Sequence, residues 1–290
     1  MTVVDAFTAH RSLLFTVAYE MLGSAADAED VVQDAWLKWD RVDQGEVRDA
    51  RAYLVRVVSR AALDRLRAVA RRREDYVGPW LPEPLVTAPD VAEDVELADS
   101  LSIAMMLVLE TLTPTERAVF VLREVFALDY DELAEAVGKS PDAVRQIAHR
   151  ARSHAAARRP RGDVTAGQAR SAFEAFQQAV VTGDLQGLVD VLAPDVVMLG
   201  DGGGVKQALP HPVVGVDKVS RLLVGGFGRF GAITFTRVDV NGRPALIVHL
   251  DGEVDSIITV EVEDGLITGV YAVRNPDKLS HIGAETTLTR

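Results

Sequence analysis

Arg145, Gln146, His149, Arg150 and Arg152 place five long hydrogen-bonding side chains within eight positions of the chain. Guanidinium and carboxamide groups make paired hydrogen bonds to guanine and adenine edges, so a row of this composition suits readout of base pairs in a DNA major groove. The flanking sequence, Asp129 to Arg159, supplies the elements such a row needs. Leu133, Ala134 and Val137 are spaced to bury one face of a first helix, and Gly138 stands where the chain must turn. Ser140 caps a second helix, Pro141 fills its first position, and Val144 and Ile147 face back toward the first helix. The five polar residues are left to point away. This is the layout of a helix-turn-helix, and an ordinary solvated helix hairpin shares it, so the rest of the chain must decide.

A second basic row lies upstream. In a helix from about Arg51 to Arg72, Arg56, Arg60, Arg67 and Arg71 fall within roughly a 60° arc, while Leu54, Val58, Ala61 and Ala62 occupy another. Asp64 is the only acid from Arg51 to Arg73, a one-sidedness that suits phosphate contact. Tyr53, near the helix start, suits stacking on an unpaired base and equally a place in a core. Before it, Asp27 to Trp39 puts Val31, Val32, Ala35, Trp36 and Trp39 on one stripe and leaves Glu29, Asp30, Gln33 and Asp34 on the other. That acidic edge is either solvated or docked on a basic partner.

With 290 residues and 48% apolar content, the chain has enough material for one to three cored domains. No apolar run is long enough to span a bilayer, the N-terminus lacks a signal-peptide layout, and there are no cysteines. A cytoplasmic protein without disulfides, thiolate metal sites or membrane partners is expected. The six histidines have no metal-ligand spacing, so neither metal nor cofactor is expected. Net charge is -12, but it is unevenly laid out. Residues 74–116 carry 10 acids and no base, whereas residues 117–161 carry 9 bases and 6 acids. Free DNA should therefore be bound poorly, because the sequence-independent phosphate attraction is weak overall, and any DNA readout needs help from a partner.

Taken together, DAEDVVQDAWLKW, then YLVRVVSRAALDRLR, then LTPTERAVFVLRE leading into the helix-turn-helix resemble a bacterial sigma factor of the extracytoplasmic-function group, over residues 1 to about 157. The resemblance implies two all-α domains, 1–75 and 101–160, joined by an acidic linker, 76–100. It implies core RNA polymerase and promoter DNA as partners and no enzymatic activity. Asp30, Gln33, Asp34 and Trp36 become polymerase contacts. Arg48, Arg51, Tyr53, Arg56 and Arg60 would hold the melted -10 element, from a loop containing Asp43, Gly45 and Asp49. Arg145, Gln146, His149 and Arg150 would meet the -35 element, with Arg152, Arg158 and Arg159 on phosphates. Thr113-Pro114-Thr115-Glu116 is a capping box that fixes a helix start. The linker, by the same resemblance, runs through a basic polymerase channel as a nucleic-acid mimic.

Composition changes after Gly162. A helix from Thr165 to Val181, with Ala172, Phe173, Phe176 and Val180 inward, precedes a shorter one ending near Ala193-Pro194. Strands follow, with Asn241-Gly242, Asp251-Gly252 and Asp264-Gly265 as tight hairpin turns. Residues 163–280 thus form an α+β cone with a curved antiparallel sheet, similar to the SnoaL-like polyketide-cyclase folds, followed by a tail, 281–290. That fold does not fix activity. Asp201, His211, His249 and Tyr271 have the chemistry of an acid–base pocket, though their spacing does not demand one. An alternative function is a DNA-binding regulator with a ligand-binding or cyclase-like C-terminal domain, its small-molecule ligand unidentified. Three marks resemble the sigma-J-like subgroup that carries such an extension. They are Trp80-Leu81-Pro82-Glu83-Pro84, the run Asp201-Gly202-Gly203-Gly204 ahead of Lys206, and Asn275-Pro276-Asp277-Lys278-Leu279. Val205, between the glycines and Lys206, departs from the pattern. The resemblance implies a regulator in cis that contacts the two helical domains, and a physical model built on it expects Trp80 and its prolines to dock near Asp201–Lys206 and Asn275–Leu279.

Overall fold

The computed structural model describes residues 3–43, 47–73, 76–88, 91, 94–158, 165–227 and 232–290. Gly45, Arg159 and the side chain of Arg71, all part of the reading above, lie outside that description. Three helices open the chain: α1 (Val3–Leu22), α2 (Ala25–Trp39) and α3 (Ala50–Arg73). Gly23, at φ 70°, takes the left-handed turn between α1 and α2, and Ser24 accepts from the Asp27 amide to cap α2. The apolar stripe expected on α2 is buried, with Val31, Val32, Ala35 and Trp39 against α1 and α3. Fully burying a side chain of this size is worth about 1.5–3 kcal/mol, so this stripe fixes which edge of α2 faces water.

Next come α4 (Val95–Leu101), α5 (Ile103–Glu110), α6 (Pro114–Phe120) with a π-turn at Val121–Val125, α7 (Tyr130–Val137) and α8 (Pro141–Ala156). The Thr113–Glu116 capping box is present as expected. Helix α4 starts inside the span expected to be linker, because the Asp94 side chain accepts from the Leu97 amide and caps it. The two helical groups share one apolar core, from Ala6 to Ala155, which also takes in Leu85, Val91, Leu97 and, from the tail, Leu288.

The C-terminal part is an α+β layer pair. Helices α9 (Ala166–Thr182), α10 (Leu185–Val191) and α11 (Val216–Phe227) cover one face of a six-stranded sheet of order β2-β1-β6-β5-β4-β3. Its strands are β1 (Leu192–Asp201), β2 (Val213–Val214), β3 (Ile233–Val240), β4 (Arg243–Leu250), β5 (Glu253–Glu263) and β6 (Leu266–Val273). Among the described strand pairs of this sheet only β1–β6 is parallel. The three Asn-Gly and Asp-Gly pairs take positive φ at both residues, the hairpin geometry expected of them. Register shifts within the β1–β6, β4–β5 and β5–β6 pairs curve the sheet into the expected cone. Two local expectations differ. The short helix ends at Val191 rather than near Pro194, since a residue preceding proline favours extended backbone. Helix α11 has no counterpart in the sequence reading, its C-terminal end being written in glycine.

Candidate nucleic-acid interface and the contacts that cover it

Asp129 closes a capping box with Glu132 at the start of α7, and Gly138, at φ 68° and ψ 42°, turns the chain toward α8. The Ser140 hydroxyl accepts from the Ala143 amide at 3.3 Å, and Pro141 occupies the first turn. Leu133, Ala134, Ala136 and Val137 of α7 and Val144, Ile147, Ala148 and Ala151 of α8 are buried. That packing leaves Arg145, Gln146, His149, Arg150 and Arg152 exposed on α8. Arg150 lies 3.6 Å from Glu116, Arg152 3.4 Å from Glu124, and Arg145 pairs with Asp142. Exposed pairs of this kind are worth about 0–1 kcal/mol, so they do not compete seriously with phosphate or base contacts.

The upstream row is differently placed. Arg48 and Arg51 are exposed, and Tyr53 is half-buried, tilted against Trp39 at 5.6 Å with Arg56 over its ring at 5.5 Å. Arg56 pairs with the Glu135 carboxylate, and Arg60 donates through Nε (3.1 Å) and Nη2 (2.5 Å) to the Glu135 carbonyl. Helix α7 therefore lies across the arginine face of α3. Between them is a cavity of about 420 Å³ lined by Arg48, Asp49, Arg51, Tyr53, Arg56, Glu132 and Glu135, among others. On α2, Asp30, Gln33 and Asp34 are exposed, and Trp36 packs edge-on against Phe7 at 5.1 Å. Arg158 lines a separate cleft with Asp195, Glu261, Glu263 and Tyr271.

The three subgroup marks, one in the linker and two in the C-terminal part, meet at one carboxylate. Asp201, 0% exposed, accepts from the Tyr76 hydroxyl (2.6 Å), the Gly203 amide (3.0 Å), the Leu81 amide (2.9 Å) and Lys278 Nζ (2.7 Å). Burying a carboxylate without a countercharge is prohibitive, and Lys278 supplies it. The Lys278 ammonium sits 4.2 Å from the Trp80 ring and 5.0 Å from that of Tyr76, and also donates to the Leu81 carbonyl. Asn275 Nδ2 donates to the Tyr76 hydroxyl at 3.0 Å, and a Cβ on Gly203 would stand 2.3 Å from that same nitrogen. Lys206 bonds to Asp255, which Arg274 also holds. Burial pushes the Asp255 carboxyl up, but the Arg274 and Lys206 contacts outweigh it and hold it low. Pro276 and Asp277 are exposed around this cluster, while Leu279 packs with Leu81.

The linker also grips the first helical group. Trp80 approaches Gly23 so closely that a Cβ there would lie 2.7 Å from its ring. Glu83, buried between Pro82 and Pro84, accepts from the Ala25 amide at 2.8 Å, its amide donates to Gly23, and the Tyr19 hydroxyl donates to its carbonyl. Asn241, in the β3–β4 turn, donates to the Tyr19 hydroxyl (2.9 Å) and the Leu101 carbonyl (2.8 Å) and accepts from the Leu85 amide (2.9 Å). Sequence reasoning chose Asn241-Gly242 as a turn and missed that it also pins three segments. No local signal marks that role, since its partners lie up to 222 positions away.

Among the described residues, Asp201, His211, His249 and Tyr271 are engaged separately. Asp201 is committed to the linker, His211 is exposed, His249 pairs with Thr236 at 3.2 Å, and none of the three lines the cleft at Tyr271. Among the described residues no helix is long and apolar enough to cross a membrane.

Two family models match the chain, Sigma-70 region 2 over residues 6–73 and Sigma-70, region 4 over residues 102–154. The ECF RNA polymerase sigma factor SigJ of Mycobacterium tuberculosis is 39% identical across 96% of this chain and 93% of that protein. Probable ECF RNA polymerase sigma factor SigI of the same species is 32% identical across 98% and 97%. The crystal structure of M. tuberculosis SigJ aligns with a TM-score of 0.77 at 36% identity, covering 96% of this chain and 98% of that one.

Proposed function

The chain belongs to the extracytoplasmic-function sigma factors of RNA polymerase, and from that premise we propose that its C-terminal domain keeps the two promoter-reading domains closed until polymerase engages them. In this reading Asp30, Gln33, Asp34 and Trp36 dock on core polymerase. Arg48, Arg51, Tyr53, Arg56 and Arg60 take the melted -10 strand, cations on the backbone and the ring beside a base. Arg145, Gln146, His149 and Arg150 read the -35 element from the major groove, and Arg152 and Arg158 hold phosphates. Once the chain opens, the acidic linker is free to line polymerase's basic channel.

The observation that carries the closed state is the seating of Glu135 on Arg56 and Arg60. Packed helices lie about 8–10 Å apart. The two promoter elements are named for positions roughly 25 base pairs apart, or ~85 Å of DNA at about 3.4 Å per pair. One arrangement therefore excludes the other, and transcription requires a shift between them. The contacts of Asp201 with Leu81 and Lys278, and of Asn241 with Tyr19 and Leu101, support a brace from the C-terminal domain.

Run-off transcription with purified core polymerase at limiting sigma factor tests it. Glu135→Lys places like charge against Arg56 and should raise transcript yield severalfold over the native chain. Equal yield at equal core affinity would count against closure by α7.

A further inference from the structure

Tyr130 opens α7, and three arginines converge on its side chain. The guanidinium of Arg123 lies 4.7 Å from the ring centroid and that of Arg145 lies 5.3 Å from it. Arg152 Nη2 approaches the hydroxyl at 3.4 Å. Arg145 and Arg152 are two helical turns apart and stand on the same side of α8, so one aromatic side chain serves both. The ring is itself anchored, half-buried against the helical core, and Arg123 is tied to the Leu128 carbonyl at 2.6 Å.

Arg145 remains about half exposed (53%), with the Asp142 carboxylate as its other partner. A guanidinium on a long stem loses rotamer freedom when it docks on a base edge, and its bidentate fork reads that edge only in one plane. A ring beneath it and a carboxylate beside it set that plane before DNA arrives, which lowers the ordering cost of the contact. We propose that Tyr130 is a positioning residue of the recognition helix: its ring orients Arg145 toward one base pair, and its hydroxyl directs Arg152 to the backbone. This rests on the reading of α8 as the groove-entering helix.

A packing role for Tyr130 would weaken transcription from every promoter alike, whereas a positioning role acts at the base pair that Arg145 reads. Holoenzyme made with the full chain is therefore compared on promoters substituted one base pair at a time through the -35 element. Arg145→Ala should lose about tenfold discrimination at one base pair. Tyr130→Leu should lose about threefold at that same pair. The double variant should lose no more there than Arg145→Ala alone. Tyr130→Phe, which keeps the ring, should keep the base preference and show a shallower salt dependence, because Arg152 is then held by Glu124 alone and drawn away from phosphate. A Tyr130→Leu effect that is uniform across the panel, or that falls on a different base pair, overturns the proposal. So does loss of base preference in Tyr130→Phe, the variant that disturbs packing least. If Arg145→Ala itself leaves the panel unchanged, the groove reading fails and Tyr130 has nothing to position.

Discussion

Glu20 is a carboxyl group buried among the helices. It is fully buried, and the loss of solvent, only partly offset by the Ser100 hydrogen bond and by Arg117, pushes its pKa up to about 8. In the folded chain it therefore keeps a proton that the unfolded chain releases near 4.5. Stability on this account is fully present below the unfolded value and falls as pH rises toward 8, by up to about 1.4 kcal/mol per pH unit. Thermal unfolding should show a lower Tm at pH 8 than at pH 6, and Glu20→Gln should flatten that difference. A Tm independent of pH in the native chain would contradict the buried protonated state. At this scale the five side chains of α8 were legible, because helical spacing alone separates buried from exposed positions. Tyr130, Glu20, Arg117 and Asn241 were not, because their roles come from partners in other elements. Arg117 shows the difficulty: it reads as a charged position on a short helix, yet it is buried and donates to the Glu20 carbonyl from α6.

Elements carried most of the legible fold. The Thr113–Glu116 capping box, the Gly138 turn and the Asn-Gly and Asp-Gly hairpins each state their geometry within four or five residues, and each appears where expected. What local pattern does not state is which elements touch. The residues expected to be a C-terminal tail, 281–290, run back across the helical part instead. The Thr286 amide donates to Val86 (2.8 Å), Leu288 enters the helical core, and the Thr289 amide donates to the Thr16 hydroxyl (3.1 Å). Arg290 pairs with Asp94 and Glu96, contacts that are exposed and weak beside the burial of Leu288. Ending the chain at Ile282 should therefore cost about 2–3 kcal/mol, chiefly the burial of one leucine. Urea unfolding of that truncation against the full chain checks it. An unchanged midpoint would mean that the tail contributes nothing to holding the parts together.

For the molecule as a whole, the closed arrangement distributes its contacts over a buried carboxylate, an aromatic-proline linker, a hairpin turn and a terminal strap, all of which join the cone to the helical part. On the proposed reading the same chain separates α3 from α7 to place two readers on one promoter, so that its function depends on a difference between two states. Because the sequence contains no cysteine, spin labels placed at Asp40→Cys and Ser153→Cys, both exposed, report a single distance between the domains. Measured by double electron–electron resonance in the free chain, that pair should give one short, narrow distribution. In holoenzyme bound to promoter DNA it should move outward by tens of ångströms, toward the scale of the ~85 Å between elements. The same short distance in the promoter complex would contradict the account.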